Sequence, residues 1–397
     1  MIPSLRQAYN AQFTEEKYQA FLDHLNGLHA YKIPFRIAET PVFVPASLRE
    51  HLIRACEEIV DAICRPDFKE RTRQAVPPAL QVPGEDAHPQ FLAIDFAVTQ
   101  DAEGEWLPQL IELQGFPSIF GFQEVVGRAY QRYFTVPEAL SYFPGQLEAG
   151  PYRELFRKIL VGRHQPEQVI LLEIEPEKQN TTIDFLCTEA LTGVRAVCLS
   201  QVIREGRQLF YLRDGEKTRI HRIYNRVIFD ELLQRPDLPR QFNLTEEVDV
   251  EWAGHPNWFF RISKYTMPFL QSRYIPESFF LHELPAYPPD LENYVLKPLF
   301  GFAGAGVKYN VTQADLDQVE QREDFILQRK VAYAPAIQSP DGPVKTELRM
   351  LYLWPEGDAR PTLAINLARL SKGDMIGVKY NKNKTWVGGS IGFFEKS

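Results

Sequence analysis

The segment Tyr294-Val-Leu-Lys-Pro-Leu-Phe-Gly-Phe-Ala-Gly-Ala-Gly-Val307 ends a strand-like apolar run on a lysine and follows it with Gly301, Gly304 and Gly306. Glycines let a backbone approach a phosphate with no Cβ in the way, and their N–H groups can point at its oxygens. Lys297 lies between Leu296 and Pro298, where a charge without a partner is costly and a phosphate would remove the cost. The spacing GxxGxG is not a dinucleotide fingerprint, and no Gly-Lys-Ser/Thr follows to make a P-loop. Taken alone, the segment reads equally as a glycine-rich hairpin turn.

More cationic residues surround it. Lys264 closes Phe259-Phe-Arg-Ile-Ser-Lys264 upstream. Downstream come Phe325-Ile-Leu-Gln-Arg-Lys-Val331, then Glu347-Leu-Arg349 and Asn366-Leu-Ala-Arg369, each arginine set in an apolar strand. Salt bridges to Glu347 or Asp374 are the plain alternative to a chemical role for Arg349 and Arg369. Arg222 and Arg226 suit an anionic substrate or pairing with Asp230 and Glu231 equally well. Near the other end of the chain, Asp95 and Glu112 sit on two strand-like runs, Phe91 to Val98 and Leu107 to Leu113, joined by Asp101-Ala-Glu-Gly-Glu105. Leu92, Ile94 and Phe96 alternate with Ala93, Asp95 and Ala97, so both carboxylates can face one cavity. The alternative is a pair of solvated carboxylates on an exposed sheet face.

The elements that must position these residues fall into three blocks, 1–150, 151–250 and 251–397. In the first, Ser47 to Ile63 reads as a helix, with Ser47 and Glu50 as a capping box and Leu48, Leu52, Cys56, Ile59, Val60 and Ile63 on one face. The linker-like stretch Pro144-Gly-Gln-Leu-Glu-Ala-Gly-Pro151 closes the block. The second block alternates a strand at Val169 to Leu172, a helix over Thr181 to Leu191 capped by Asn180 or Thr181, and a strand at Val194 to Leu199. A hairpin about Asp214-Gly215 follows, with Leu209 to Leu212 and Arg219 to Tyr224 as its arms. The third block carries strands at Tyr294 to Lys297, Phe325 to Gln328, Leu348 to Trp354 and Thr362 to Arg369, and a helix over Gln313 to Gln321.

Lysine, strand lysine, glycine loop, hinge strand, arginine, arginine: this order resembles the ATP-grasp superfamily. An ordinary ATP-grasp chain continues with a helix, a strand bearing an aspartate, and a strand ending in Glu-x-Asn. Here those pieces stand at the front, as the 47–63 helix, Asp95 and Glu112-Leu-Gln114. The rotated order is similar to circularly permuted ATP-grasp proteins of the glutathionylspermidine synthetase group. The middle block, from Gln179-Asn-Thr-Thr-Ile-Asp-Phe-Leu186 to Arg222-Ile-Tyr-Asn-Arg226, resembles that group's domain preceding the lysines. The resemblance spans residues 36–397.

It implies an α/β (α+β) fold, with ATP-grasp lobes in permuted order and a small pre-ATP α/β domain. It implies ATP and Mg²⁺ as cofactors. Lys264, Lys297, Gly301, Gly304 and Gly306 would hold the phosphates, with the loop closing over them, and Gln328, Lys330 and Val331 would meet adenine. Asp95, Glu112 and Gln114 would hold Mg²⁺, and Arg349 and Arg369 would be the catalytic groups at the transferring phosphoryl. Gln114 stands where the family usually has asparagine, and places its amide oxygen one methylene further out. The implied reaction joins a carboxylate to an amine through an acyl phosphate and releases ADP and phosphate. Its partners are then small-molecule or peptide carboxylates and amines. A kinase acting on a small-molecule hydroxyl, and a non-catalytic nucleotide-binding protein with a decayed metal site, remain open alternatives.

Composition sets the outer limits. Over 397 residues, 44% hydrophobic and 24% charged, the chain has enough apolar content to exclude wholesale disorder. A net charge of −8 without a basic run argues against nucleic acid. No apolar stretch is long enough to cross a membrane, and the N-terminus Met1-Ile-Pro-Ser-Leu-Arg6 lacks a signal peptide's apolar region. The four cysteines show neither CxxC nor His/Cys metal spacing, and Cys187 and Cys198 sit beside apolar residues as small buried hydrophobes. His221, His255 and His282 have no ligand spacing. The expected location is the cytoplasm, with no membrane partner.

Overall fold

Alternation in Phe91–Gln100 builds the centre of the molecule: Ile94 and Phe96 pack one way, Ala93, Asp95 and Ala97 the other, and all are buried. The computed structural model describes residues 1–300, 306–373, 376 and 381–396. Gly301, Gly304 and Asp374 lie outside the described residues. The chain is a mixed α/β protein. Its main sheet runs, in order, Gly388–Ser390, Thr362–Ser371, Gly342–Leu353, Phe91–Gln100 and Trp106–Gln114, all antiparallel, with Ile337–Ser339 paired to the Gly342 strand. Strands from the first and last blocks of the sequence therefore hydrogen-bond in one sheet. Its apolar face (Ile94, Phe96, Leu348, Met350, Ala368) joins the largest core, to which the helices Ala46–Ile63 and Phe120–Tyr133 add Leu48, Leu52, Ile59, Phe122 and Val126. The opposite face carries the polar residues of interest.

The helix expected from Ser47 forms, but its cap differs. Pro45 is the N-cap, Ser47 lies inside the first turn, and the partly buried Ala46 N–H donates to Glu395 Oε2 at 2.7 Å from the far end of the chain. A carboxylate at a helix N-terminus also meets the positive end of the helix dipole. The linker reading near Gly150 ends early too, because a helix begins at Ala149 and runs to Val161 with Pro151 in its first turn, where proline is tolerated.

The middle block holds a parallel sheet in the order Glu251–Ala253, Arg222–Asn225, Val169–Glu173, Arg195–Cys198. Helix Thr182–Thr192 links its last two strands, with Thr181 as N-cap but without a capping side-chain bond. The Asp214-Gly215 hairpin forms between Gln208–Arg213 and Glu216–Ile220, with both turn residues at positive φ. The expected strand from Arg219 to Tyr224 is broken at His221, whose N–H donates to Gln168 O, and the chain past it joins the parallel sheet. Glu173 ends the strand Val169–Glu173 and is 5% exposed. Among the described residues its Oε1 accepts only from the neighbouring Ile174 N–H, at 2.7 Å, and burial raises its carboxyl to about 8.

The third sheet is small and antiparallel, in the order Ser278–Phe280, Phe325–Arg329, Tyr294–Pro298. Its outer face (Tyr294, Leu296, Leu327) closes a separate core with Leu281, Val311 and Leu316. The helix expected to Gln321 stops at Asp317, held by a capping box between Thr312 and Asp315. Among the described residues no helix is long and apolar enough to cross a membrane.

Candidate functional site

Register brings the candidate residues together. Across the main sheet Glu112 lies opposite Asp95, Asp95 opposite Arg349, and Glu347, two residues from Arg349 on the same face, opposite Arg369. Gln114, opposite Ala93, shares the face. Five sequence-derived candidates (Asp95, Glu112, Gln114, Arg349 and Arg369) thus form one row, with Glu347 among them. Gly389 lies opposite Arg369 and leaves the guanidinium's flank without a side chain.

Charges fill this row. Arg349 binds Asp95 with two arms, Nε to Oδ1 at 2.5 Å and Nη2 to Oδ2 at 2.7 Å, and its Nη2 lies 3.6 Å from Glu112 Oε1. Arg369 Nη2 donates to Asp95 Oδ2 as well, and sits 2.7 Å from Glu347 Oε2. The salt bridge between Arg369 and Glu347 allowed by the sequence is present; the clasp on Asp95 was not foreseen. Asp95 is 1% exposed, and burial pushes its carboxyl upward, but Arg349 and Arg369 outweigh burial and hold it below the usual range. Burial wins at Glu347, which is raised despite Arg369. Arg369 is raised too: burial opposes its charge, yet Glu347, Asp95 and Glu112 more than offset that.

Two residues that the sequence did not single out fix the arginines. Tyr333 donates its hydroxyl to Glu347 Oε1, and burial together with Glu347 keeps the phenol protonated well above its ordinary range. Ser118 Oγ accepts from Arg349 Nη1 at 3.0 Å, while its carbonyl accepts from Arg226 Nη1 at 2.6 Å. Ser118 follows Gly115-Phe-Pro, with no motif to mark it. Glu347 had a signal, its spacing of two from Arg349 in a strand. Arg226 does not pair with Asp230 or Glu231; it lies 3.5 Å from Asp184 Oδ2, between the rings of Phe116 and Phe185. Arg222 pairs instead with Glu251 and Glu356, at 3.1 and 2.7 Å.

The small sheet faces this row. Lys297, Gln328 and Ile326 share its inner face, since Val295 pairs with Gln328 and Lys297 with Ile326. Lys297 Nζ donates to Ile111 O at 3.1 Å. Ile111 is the extra residue of a bulge between the Asp95–Glu112 and Phe96–Leu110 pairs, and bulges commonly redirect groups at sites. Burial lowers the Lys297 ammonium to about 8, with Glu112 pulling against the fall and Lys264 adding to it. Lys264 opens the short 3₁₀ segment Lys264–Phe269 and, among the described residues, has no hydrogen-bond or ion-pair partner. Gln328 is buried, with its Oε1 unpaired among the described residues and its Nε2 3.8 Å from Met267 Sδ. Lys330 points elsewhere, its Nζ to Glu292 O at 2.6 Å and over the Tyr309 ring, and its N–H is committed to Asn293 O. Val331 follows it, partly buried.

Leu296 and Lys308, which flank the glycine segment, exchange backbone hydrogen bonds. Gly306 has φ +73°, and a Cβ there would come 3.1 Å from Pro298 Cγ.

Asp95, Glu112 and Gln114 offer oxygens only, the donor chemistry that a hard divalent cation takes. Both Asp95 oxygens accept from guanidiniums, and Gln114 Nε2 donates to Glu112 Oε1 at 3.1 Å. Among the described residues no group of three or more His, Cys, Asp or Glu is disposed to hold a metal ion. The donor set fits Mg²⁺ in chemistry, with the guanidiniums in competition for it.

No family model and no curated protein matches the chain. Among solved structures it superposes on a glutathione synthetase-like effector from Globodera pallida in its apo form, with a TM-score of 0.55 and 10% identity over 96% of each chain. The fold is glutathione synthetase-like. At that identity the likeness is one of architecture.

Proposed function

We infer that the chain is an ATP-dependent, ADP-forming ligase of the circularly permuted ATP-grasp type, joining a carboxylate to an amine through an acyl phosphate. The observation that carries this reading is the convergence of four cations at one sheet face: Arg349 and Arg369 in a row with Asp95, Glu112 and Glu347, and opposite them Lys297, close to Lys264 and bonded to the bulge carbonyl of Ile111. Mixed-sign strands from both ends of the sequence meeting in one sheet support the permuted order, and the glutathione synthetase-like fold supports the reaction class.

In this reading Lys264 and Lys297 hold phosphate oxygens, as fixed charges in a low-dielectric cleft. Asp95, Glu112 and Gln114 would hold Mg²⁺, which supplies charge neutralisation on the phosphates. Arg349 and Arg369 meet the charge that develops as the phosphoryl group moves to the carboxylate. Ser118 aims the first, and Glu347, fixed by Tyr333, aims the second. The buried Gln328 Oε1 is an acceptor suited to the amino group of adenine. Amide synthesis by way of an acyl phosphate needs no covalent nucleophile from the protein.

The test is product analysis of the purified chain with ATP, Mg²⁺ and panels of carboxylates and amines. ADP and phosphate appearing together with a new amide mass would establish the ligase. A stable phosphate ester would establish a kinase in its place, and ATP binding without turnover on any panel would favour the non-catalytic alternative.

A further inference from the structure

Resting on the reading that this cleft takes a magnesium–nucleotide complex, we propose that Arg349 and Arg369 bar a divalent cation from Asp95 until a polyphosphate draws the guanidiniums away. The metal then enters only with the nucleotide or after it.

Three observations converge on this gate. Asp95, the most buried acid of the row, has no oxygen free of a guanidinium: Arg349 takes both oxygens, Arg369 takes Oδ2, and Arg349 also leans on Glu112 at 3.6 Å. A cation binding at Asp95 must displace charge-assisted hydrogen bonds that are short and two-armed, the strongest kind that side chains make. The charge count points the same way. Lys264, Lys297, Arg349 and Arg369 balance Asp95, Glu112, Glu347 and the Asp230 that faces Lys264, so a bare divalent ion meets no net negative charge while phosphate oxygens meet four cations. Finally, the arginines are held in a state that leaves bonding capacity unused. Among the described residues Arg369 Nε is buried with no acceptor, and Gln114 spends its N–H on Glu112. A phosphate oxygen beside Arg369 would satisfy the orphan donor, which makes the guanidinium's departure from Asp95 less costly.

Ser118 and Tyr333 define where the arms can go. Arg349 Nη1 is tethered to Ser118 Oγ, and Arg369 to Glu347, whose other oxygen Tyr333 holds. Each arginine can therefore leave Asp95 while keeping one anchor.

The experiment is Mn²⁺ paramagnetic resonance on the full chain, reading free against bound Mn²⁺. Wild type is expected to leave Mn²⁺ free when alone and, when a non-hydrolysable ATP analogue is added, to hold Mn²⁺ beyond what the same analogue chelates in a protein-free blank. Arg349→Gln should bind Mn²⁺ without nucleotide, on the order of ten-fold tighter than wild type, and adding Asp95→Asn should abolish that gain. Should Arg349→Gln fail to fold, Arg349→Lys loses the two-armed clasp while keeping a charge, and should show a smaller gain of the same sign. Equal Mn²⁺ binding by wild type with and without the analogue would overturn the gate, as would folded arginine variants with no gain. If no nucleotide binds at all, the ligase reading falls, whereas the Mn²⁺-only comparison of wild type with the arginine variants still decides whether the guanidiniums exclude the ion.

Discussion

Arg349 and Asp95 are separated by most of the chain and stand directly opposite each other on adjacent strands, joined by two hydrogen bonds of 2.5 and 2.7 Å. This pair ties the two ends of the sequence into one site. A residue expected to bind metal and a residue expected to bind phosphate hold one another, and the surrounding chemistry follows from that. Replacing Asp95 by alanine leaves two arginines facing each other in a buried place, and the expected loss is roughly 3–5 kcal/mol of unfolding free energy. A urea titration measures it; a loss below about 1 kcal/mol would mean that water or neighbouring acids compensate the pair.

Tyr333 and Glu347 make a milder case. In Tyr333→Phe the ring stays and Glu347 loses one donor while keeping Arg369, so the expected cost is about 1–2 kcal/mol. The same titration reads it, with Tyr309→Phe, at an exposed ring whose hydroxyl makes no hydrogen bond among the described residues, as the near-neutral comparison.

Stability should depend on pH through Glu173. Its folded carboxyl is raised to about 8, so between the unfolded value near 4.5 and that point the folded chain holds a proton that the unfolded chain has released. Stability from this group is complete below about pH 4.5 and is lost as pH rises through 8, by a few kcal/mol in all. Glu173→Gln removes the dependence. Urea midpoints of the two proteins at pH 5 and pH 8 should therefore diverge, with wild type losing more; parallel midpoints would show that the carboxyl is ionised throughout.

The helix cap separates sequence reading from structure. Ser47 and Glu50 have the capping-box spacing, yet the chain enters the helix one residue earlier, at Ala46, and the acceptor comes from Glu395. Glu395→Ala should cost about 1 kcal/mol and Ser47→Ala much less. Thermal melts of the two variants give the order directly.

Much of the site was legible because β-strand alternation is a local signal. Asp95, Glu112, Arg349 and Arg369 each sit at a polar position within an apolar run, and that alone set them on one face of their strands. Their order along the chain suggested which strands should meet. Apart from Glu347 as one partner of Arg369, the sequence did not contain the partner of each charge. Ser118 and Tyr333 come from loops, where position depends on long-range packing, and the clasp on Asp95 is a matter of register between strands far apart in sequence. The pairing of Arg226 with Asp184, in place of its sequence neighbours Asp230 and Glu231, was hidden for the same reason. Lys330 shows the converse: its place at the end of a hinge-like strand suggested a ligand contact, while its ammonium in fact closes onto Glu292 and the Tyr309 ring.

The central claim is that the cleft between the sheets binds ATP through Lys297. Titration calorimetry of ATP against wild type and Lys297→Ala, in excess Mg²⁺ and repeated from pH 7 to pH 9.5, tests it most directly. The account expects binding by wild type that weakens as pH rises through about 8, where the unliganded ammonium loses its proton, and at least a ten-fold loss in the variant, worth about 1.4 kcal/mol. ATP bound equally well by both proteins, or by neither, would contradict it.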